Sequence, residues 1–458
     1  MKNCSFIRSN LSVTILILVF KNKQFKYELN KIRILIIMLK YLSIPELNFS
    51  ESWKFGWEKI NCLSKTDKYM TLFWFLGPFI YLIERDPADL WLTLICLFFL
   101  ARCIKRKDWR WTSQLWFKSA LALWLFGLFS AVTGPDPFFS FQQGFVWIRF
   151  PLYAAAAQVW LAKDRDIRIV MLLSILIGML IMCGILIAET LIEPKTRLTW
   201  PYGDLVPGGY IAKVSLPLFC VLMAIAVSKK NKAGMFAGLI GLLSIGVSSL
   251  TGERTHFLIR SSGGLLASIV WKPKFIMFSI LVGFEVIAVL VVFISRPDLS
   301  DRFGKHFLGS VPIVNFDTSY WGSWRGGIQQ GLLTPIKGIG PSGTRKTCKS
   351  LDTSLPSWLP GKNYCGNHPH NFYVQLFAET GIIGLIFGLI MFSSIIWACF
   401  KARIKHFECP MAATAFVVPL GLFFPIQQFG SFYGQWGNLF IWFAIAFALS
   451  QVQSYKKI

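Results

Sequence analysis

The stretch Arg168-Ile-Val-Met-Leu-Leu-Ser-Ile-Leu-Ile-Gly-Met-Leu-Ile-Met-Cys-Gly-Ile-Leu-Ile-Ala-Glu-Thr-Leu-Ile192 decides the class of this chain. About 20 apolar residues carry an α-helix across a bilayer, and this run reaches that length with Lys163, Arg165 and Arg168 at its start. Comparable runs recur along the chain. Hydropathy places about twelve spans, near 69–83, 88–104, 114–133, 144–162, 168–192, 209–227, 232–250, 256–271, 274–294, 381–400, 411–427 and 434–452. The reading is an all-α polytopic membrane protein. The composition agrees: 54% of the 458 residues are hydrophobic and 15% charged. A disordered chain is poor in apolar residues. The net charge of +24 fits a soluble nucleic-acid binder, but such a protein has no uninterrupted runs of membrane-spanning length, so nucleic acid is excluded as the partner.

The loops alternate in charge. Basic ones hold Arg102, Lys105, Arg106, Lys107 and Arg110; Lys163, Arg165 and Arg168; Lys229, Lys230 and Lys232; Lys272 and Lys274; Lys401, Arg403 and Lys405; and Lys456 with Lys457. Segments 134–143 and 428–433 have neither Lys nor Arg. By the positive-inside rule the basic loops face the cytoplasm, and both termini are then inside. Residues 1–68 read as a basic, cytoplasmic, interfacial extension, with Met38 or Met70 as alternative starts. The run Leu11–Phe20 is too short to span, and Lys21, Lys23 and Lys26 stand where a signal peptide would place small cleavage-site residues. Spans one to nine occupy 69–294, and the last three follow within 371–458.

Residues 295–370 form one outsized outer loop. It is rich in Trp and Tyr, punctuated by Gly340-Pro341, and basic. Long loops escape the positive-inside rule in part; the other reading is an anionic ligand on the outer face. Cys348 and Cys365 both fall in this loop, where an oxidising outer compartment makes a disulfide plausible. Within the spans, Arg149, Lys213, Arg254 and Arg260 stand towards the same outer leaflet. Cations inside a membrane usually face an interior cavity, and four of them imply a shared polar cavity opening outward.

The loop ends in Asn367-His368-Pro369-His370-Asn371, followed by Phe372 to Thr380 and then Gly381-Ile-Ile-Gly384. Asn371 can cap the helix that follows. A histidine at this interface suits general-base work, and the alternative left open is that His368 and His370 only line the helix entry. No Cys, Asp or Glu stands at ligand spacing to make a metal site with them, apart from Cys365.

His-Asn, nine residues, then Gly-x-x-Gly resembles the signature of the bacterial O-antigen ligase and polymerase superfamily. Upstream, Ser323-Trp324-Arg325 and Thr334-Pro335-Ile336-Lys337-Gly338-Ile339-Gly340-Pro341 resemble that family's Trp-Arg and Pro-x-x-Gly-x-Gly stretch. Arg254 resembles the start of its Ser-Arg helix, with Glu253 where Ser is usual. The resemblance is carried by residues 250–400, and by hydropathy alone before that. It implies a glycosyltransferase of the inner membrane whose active site is periplasmic. The donor would be an undecaprenyl-diphosphate-linked glycan, and in the ligase branch the acceptor is a sugar hydroxyl of lipid A–core. No metal or other cofactor is implied, because the diphosphate is already a leaving group.

Attack at an anomeric carbon requires a base for the acceptor hydroxyl and fixed positive charge for the departing diphosphate, and planar guanidinium donors suit phosphate oxygens. His370 is accordingly assigned as the base, with Arg254 and Arg325 as the diphosphate clamp. Lys213 and Arg149 contribute to the same field, and His368 and Asn371 support it. The alternatives are, within the family, a chain-lengthening O-antigen polymerase and a protein O-oligosaccharyltransferase and, from another class, a secondary transporter. Arg197 to Gly208 matches a polymerase-like Arg-x10-Gly pattern. With 36 Gly in the chain such a match is expected by coincidence. Transporters usually show two related halves, and no such repeat is visible.

Overall fold

The computed structural model describes residues 43–44, 47–203, 207–229, 231–304, 318–347, 364, 366–425 and 430–452, with side chains from Trp53 onward. Cys348 and Cys365, the expected disulfide, lie outside the described residues, as does much of the long loop.

The described chain is almost wholly helical. A two-residue antiparallel bridge, β1 (Ser43–Ile44) with β2 (Leu47–Asn48), precedes α1 (Phe49–Asn61). Then follow α2 (Lys65–Phe75), α3 (Gly77–Ile83), α4 (Arg85–Arg106), α5 (Leu115–Val132), α6 (Pro137–Trp147), α7 (Arg149–Trp160) and α8 (Arg165–Ile192). Next come α9 (Pro207–Val214), α10 (Leu216–Ser228), α11 (Lys232–Leu250), α12 (Arg254–Val270), α13 (Phe275–Ser295), α14 (Pro297–Phe303) and α15 (Ser319–Leu333). The last are α16 (Thr344–Thr347), α17 (Phe372–Lys405), α18 (Pro410–Thr414), α19 (Val417–Leu422) and α20 (Gln435–Ser450).

Helix starts are set by side-chain caps that satisfy otherwise orphaned N–H groups. Ser64 accepts from Asp67 N, Asp136 from Phe139 N, Asp164 from Asp166 N, and Asn231 from Gly234 N. Six of these helices (α4, α5, α8, α11, α13 and α17) are long and apolar enough to cross a membrane, and α9 with α10 makes a seventh bent by 55°. Several runs that hydropathy shows as continuous are broken helices. Run 69–83 is split at Leu76 before Pro78, run 144–162 at Ile148 before Pro151, and run 209–227 at Ser215 before Pro217. Proline lacks the N–H that would continue the ladder, a discontinuity to which a hydropathy average is blind.

Burial separates the helices. Of the apolar window in α8, 72% is covered by protein, against 11% in α13, which therefore lies at the periphery. The core between α2, α4, α7 and α20 is aromatic. Trp74 stacks on Tyr153 with centroids 4.4 Å apart, and Trp147 stacks on Phe432 at 5.0 Å. Arg260 of α12 is fully buried with no carboxylate partner among the described residues. It donates to Ile211 O at 2.8 Å and Ser244 Oγ at 2.9 Å, and its guanidinium lies 3.8 Å from the Phe219 ring. Residues 49–68 of the expected extension are largely helical. In α1, Lys59 bridges Asp164 and Asp166 at the start of α8, both at 2.8 Å.

Candidate functional site

The platform is a break in α17. Gly381 has φ 63° and ψ −168°, so the helix is interrupted nine residues after it begins. The segment 335–341 is laid into that break. Ile382 N donates to Pro335 O at 2.8 Å, Ile339 N to Ala378 O at 3.1 Å, and Gly340 N to Glu379 O at 2.8 Å. These contacts explain the glycines of both motifs. A Cβ on Gly338 would stand 2.3 Å from the Glu379 carbonyl carbon, and one on Gly381 2.3 Å from Ile336 O. Both residues also occupy the left-handed region that glycine enters freely.

Glu379, fully buried, ties the seam together. Its Oε2 accepts from Ser342 N at 2.8 Å and from Gln375 Nε2 at 3.0 Å. Gln375 in turn donates to Ser431 Oγ at 3.0 Å and accepts from Phe432 N at 2.7 Å. Ser130 Oγ of α5 sits between the carbonyls of Lys337 and Glu379, 2.8 Å from the latter. One polar network thus fixes α5, the 335–342 segment, α17 and the 431–432 turn.

On this platform stands the histidine pair. Asn371 caps α17, its Oδ1 accepting from Tyr373 N at 2.9 Å and Val374 N at 3.1 Å, while its Nδ2 donates to Pro425 O at 2.7 Å. His370 precedes the cap with φ 57°, a conformation that L residues rarely adopt. Its ring lies 4.2 Å from that of His368 and 5.8 Å, edge-on, from Tyr320 of α15. Helix α15 approaches closely enough for that contact because Gly327 faces Val374 and Pro369, and Gly331 faces Phe377.

Beyond Tyr320 the cations gather. Arg302 of α14 donates Nε to Gly252 O at 2.7 Å and lies within electrostatic range of Tyr320, Arg197, Glu253 and Arg254. Burial lowers the Arg302 pKa, Arg197 and Arg254 push the same way, and Glu253 opposes them. Helix α14 is anchored by Arg296, which donates to Lys195 O at 2.8 Å and pairs with Asp298 at 2.7 Å. The Arg296 guanidinium holds the Asp298 carboxyl below its usual range. Arg197 Nε donates to Glu253 Oε1 at 2.6 Å. Its loop is fastened by Glu189, which accepts from Thr199 N and Trp200 N, both at 2.8 Å.

Lys213 lies in the π-helical turn of α9 and is 8% exposed. Its amine has no hydrogen-bond or ion-pair partner among the described residues, and Glu253 is the opposing charge that reaches it. His256 lies between the charges of Lys213 and Arg197, and its Nδ1 is buried without a hydrogen bond. Arg197 pairs with Glu253, whose charge also reaches Lys213 and Arg302, and Arg254 lies within electrostatic range of Arg302.

The structure distributes the residues singled out by sequence as follows. His368 and His370 adjoin each other, and Arg254 and Lys213 belong to the basin that reaches His370 through Tyr320 and Arg302. Arg325 is buried on α15, about 140° round the helix from Tyr320. Arg149 is committed elsewhere. Because its run is broken, it begins α7 rather than lying within a longer helix, and it pairs with Asp89 at 2.8 and 2.9 Å. It also bonds Thr93 and Gln435. A carboxylate on α4 thus cancels the charge that sequence placed in the diphosphate field.

Sequence reasoning did not assign Arg197, Arg302, Tyr320 or His256 to the site. Arg197 was visible only through a glycine spacing of no weight, and Arg302 as one of many loop cations. Among the described residues no three of His, Cys, Asp and Glu converge as a metal-ligating group. No protein-family model matches the chain, and no curated protein matches it.

Proposed function

We propose that the protein is an O-antigen ligase-like glycosyltransferase. It takes an undecaprenyl-diphosphate-linked glycan and joins it to a sugar hydroxyl of lipid A–core. The chain crosses the bacterial inner membrane about twelve times, with both termini cytoplasmic and the long loop and site periplasmic. Six long apolar helices and the bent α9–α10 pair support seven of these crossings by length; the remainder are assigned to the shorter and broken apolar helices.

The observation that carries this reading is a histidine in a left-handed backbone conformation next to a cluster of cations that includes Arg197, Lys213, Arg254 and Arg302. His370 keeps a left-handed backbone beside a rigid cap. Such strain persists where surrounding structure over-determines it, often at functional sites. Tyr320 stands edge-on to the His370 ring and also lies within electrostatic range of Arg302, which in turn feels Arg254, Arg197 and Glu253.

In the reaction, His370 takes the proton of the acceptor hydroxyl as its oxygen bonds to the anomeric carbon. The bond from that carbon to the diphosphate breaks, and the leaving oxygens acquire negative charge that Arg254, Arg302 and Lys213 stabilise. Arg325 supports the clamp from α15. A single displacement inverts the anomeric centre. The peripheral position of α13 leaves an apolar flank along which the polyprenyl tail approaches.

Complementation tests this. The wild-type protein, expressed with a lipid-linked glycan in a ligase-deficient strain, is expected to yield capped lipopolysaccharide. Stably inserted His370→Ala and Arg254→Ala proteins are expected not to. Full capping by both variants rejects the site; lengthening of single repeat units in a polymerase-deficient strain, without capping, rejects the ligase assignment.

A further inference from the structure

Far from the histidines, a second set of charges is left over by the bundle. Asp67 of α2 is buried where α2, the end of α4 and the end of α7 meet. Its Oδ1 accepts from Arg102 Nε and Trp160 Nε1, each at 3.1 Å. Its Oδ2 accepts from Arg106 Nη2 at 3.1 Å and pairs with Lys163 Nζ at 2.7 Å. A carboxylate offers about four lone-pair positions, so Asp67 is saturated. Among the described residues three cations surround this single anion, with Arg106 Nη2 also donating to Ser64 Oγ at 3.2 Å. Arg102 shows the shortage most plainly: its side chain is 10% exposed, and its Nη1 is buried with no hydrogen-bond partner.

The cluster is open on one side. Arg106 is 42% exposed and Lys163 25%. The Lys163 amine is pushed below its usual pKa by burial, and Arg102 and Arg106 push the same way against Asp67. A second anion at the open side would relieve this excess. The cations also stand at the end of α4, a helix of membrane-spanning length. Trp109, 44% exposed, lies three residues past its last residue. Tryptophan is enriched at the level of lipid headgroups, and basic pockets between helices on the cytoplasmic side hold anionic headgroups.

We infer that Arg102, Arg106 and Lys163 form a binding site for a phosphate group, and that its occupant is the headgroup phosphate of an anionic phospholipid. A tetrahedral phosphate presents several acceptor oxygens in the plane of a guanidinium fork, which supplies what saturated Asp67 cannot. The site is separate from the glycosyl-transfer reading and stands or falls without it.

The test uses the full chain, purified and delipidated in neutral detergent. It is titrated with short-chain phosphatidylglycerol, phosphatidylcholine and inorganic phosphate, and binding is read by native mass spectrometry with tryptophan emission as a second signal. Phosphatidylglycerol is expected to bind with one tight stoichiometry and phosphatidylcholine more weakly. Arg106→Gln is expected to weaken phosphatidylglycerol roughly fivefold, the effect of one basic residue near an anionic surface. Asp67→Asn should act in the opposite direction and tighten it, because it removes the competing anion; a merely structural cluster gives no such gain. Equal binding of the two lipids overturns the proposal, as does an unchanged dissociation constant in Arg106→Gln. Displacement of the lipid by equimolar inorganic phosphate keeps the phosphate site and overturns its lipid occupant. Should Asp67→Asn fail to fold, Arg106→Gln alone decides, since Arg106 is half-exposed.

Discussion

The seam around Glu379 and the basin around Arg302 are neighbours built on opposite principles. In the seam, backbone and side chains are locked by glycine contacts and a connected hydrogen-bond network. In the basin, Arg197, Lys213 and Arg302 feel the charge of Glu253, and Lys213 has no hydrogen-bond or ion-pair partner among the described residues. The seam stores rigidity and the basin gathers positive charge. His370 sits on the boundary, one residue before the cap of the helix that the seam clamps. The difference teaches that the stable part of this region is not its charged part: charge is displayed on a frame that does not depend on it.

The largest expected effect breaks the frame. Gly338→Val places a branched side chain at positive φ against the Glu379 backbone. It is expected to cost more than about 4 kcal/mol, and the readout is loss of monodisperse protein in size exclusion. Retention of a normal melting temperature would show that the seam is not the frame.

The next prediction separates frame from display. His370→Ala is expected to reduce glycosyl transfer by about 100-fold or more. Its melting temperature should stay near that of the wild type, with His370→Gly slightly more stable because the left-handed strain is relieved. A variant that loses activity only through unfolding would collapse the distinction.

A smaller effect concerns Arg149, which sequence assigns to the display and structure to the frame. Arg149→Gln is expected to destabilise the protein by about 2 kcal/mol, measured by thermal unfolding. The KM for donor should be unaffected in the protein that remains folded. A selective rise in KM would return Arg149 to the basin.

The smallest effect at neutral pH lies at Asp67. Burial alone would raise its pKa, but Lys163, Arg102 and Trp160 overcome that, and the carboxyl is held well below its usual value of 3.8. A group depressed in the folded state contributes stability that is complete above its unfolded pKa and is lost as pH falls through the folded one. Melting temperature should therefore be insensitive to Asp67 titration from neutrality down to about pH 4–5 and fall below that. Asp67→Asn should flatten the acid limb and lower stability at neutral pH.

What sequence could show follows from what each signal measures. Hydropathy registers apolar length, so the helical, membrane-type character was legible from runs such as 168–192, whereas the breaks at Ile148 and Ser215 were not. The fixed spacing of Asn371, Gly381 and Gly338 was legible because cap and backbone contacts demand particular residue types at particular positions. The pairing of Arg149 with Asp89 was not legible, because an ion pair with a carboxylate 60 residues earlier leaves no trace in local pattern. Arg302 and Tyr320 stayed hidden for the converse reason: Tyr320 reaches His370, and Arg302 comes within range of Tyr320, only through the packing of α14 and α15, and nothing in a basic aromatic loop marks which members do so.

Arg260 has a consequence for biogenesis. Helix α12 has 17 residues with a guanidinium near its middle, a segment that a translocation channel releases into lipid reluctantly, at about 2.5–3.5 kcal/mol for the charge alone. Its acceptors are supplied by Ile211 of α9 and Ser244 of α11, both synthesised earlier. The carbonyl of Ile211 belongs to the irregular π-turn, so the defect in one helix is what makes the next one insertable. We therefore expect α12 to integrate against α9 and α11 rather than as an independent span, so that Ser244→Ala should lower its insertion in truncated chains ending after α12, measured by glycosylation mapping.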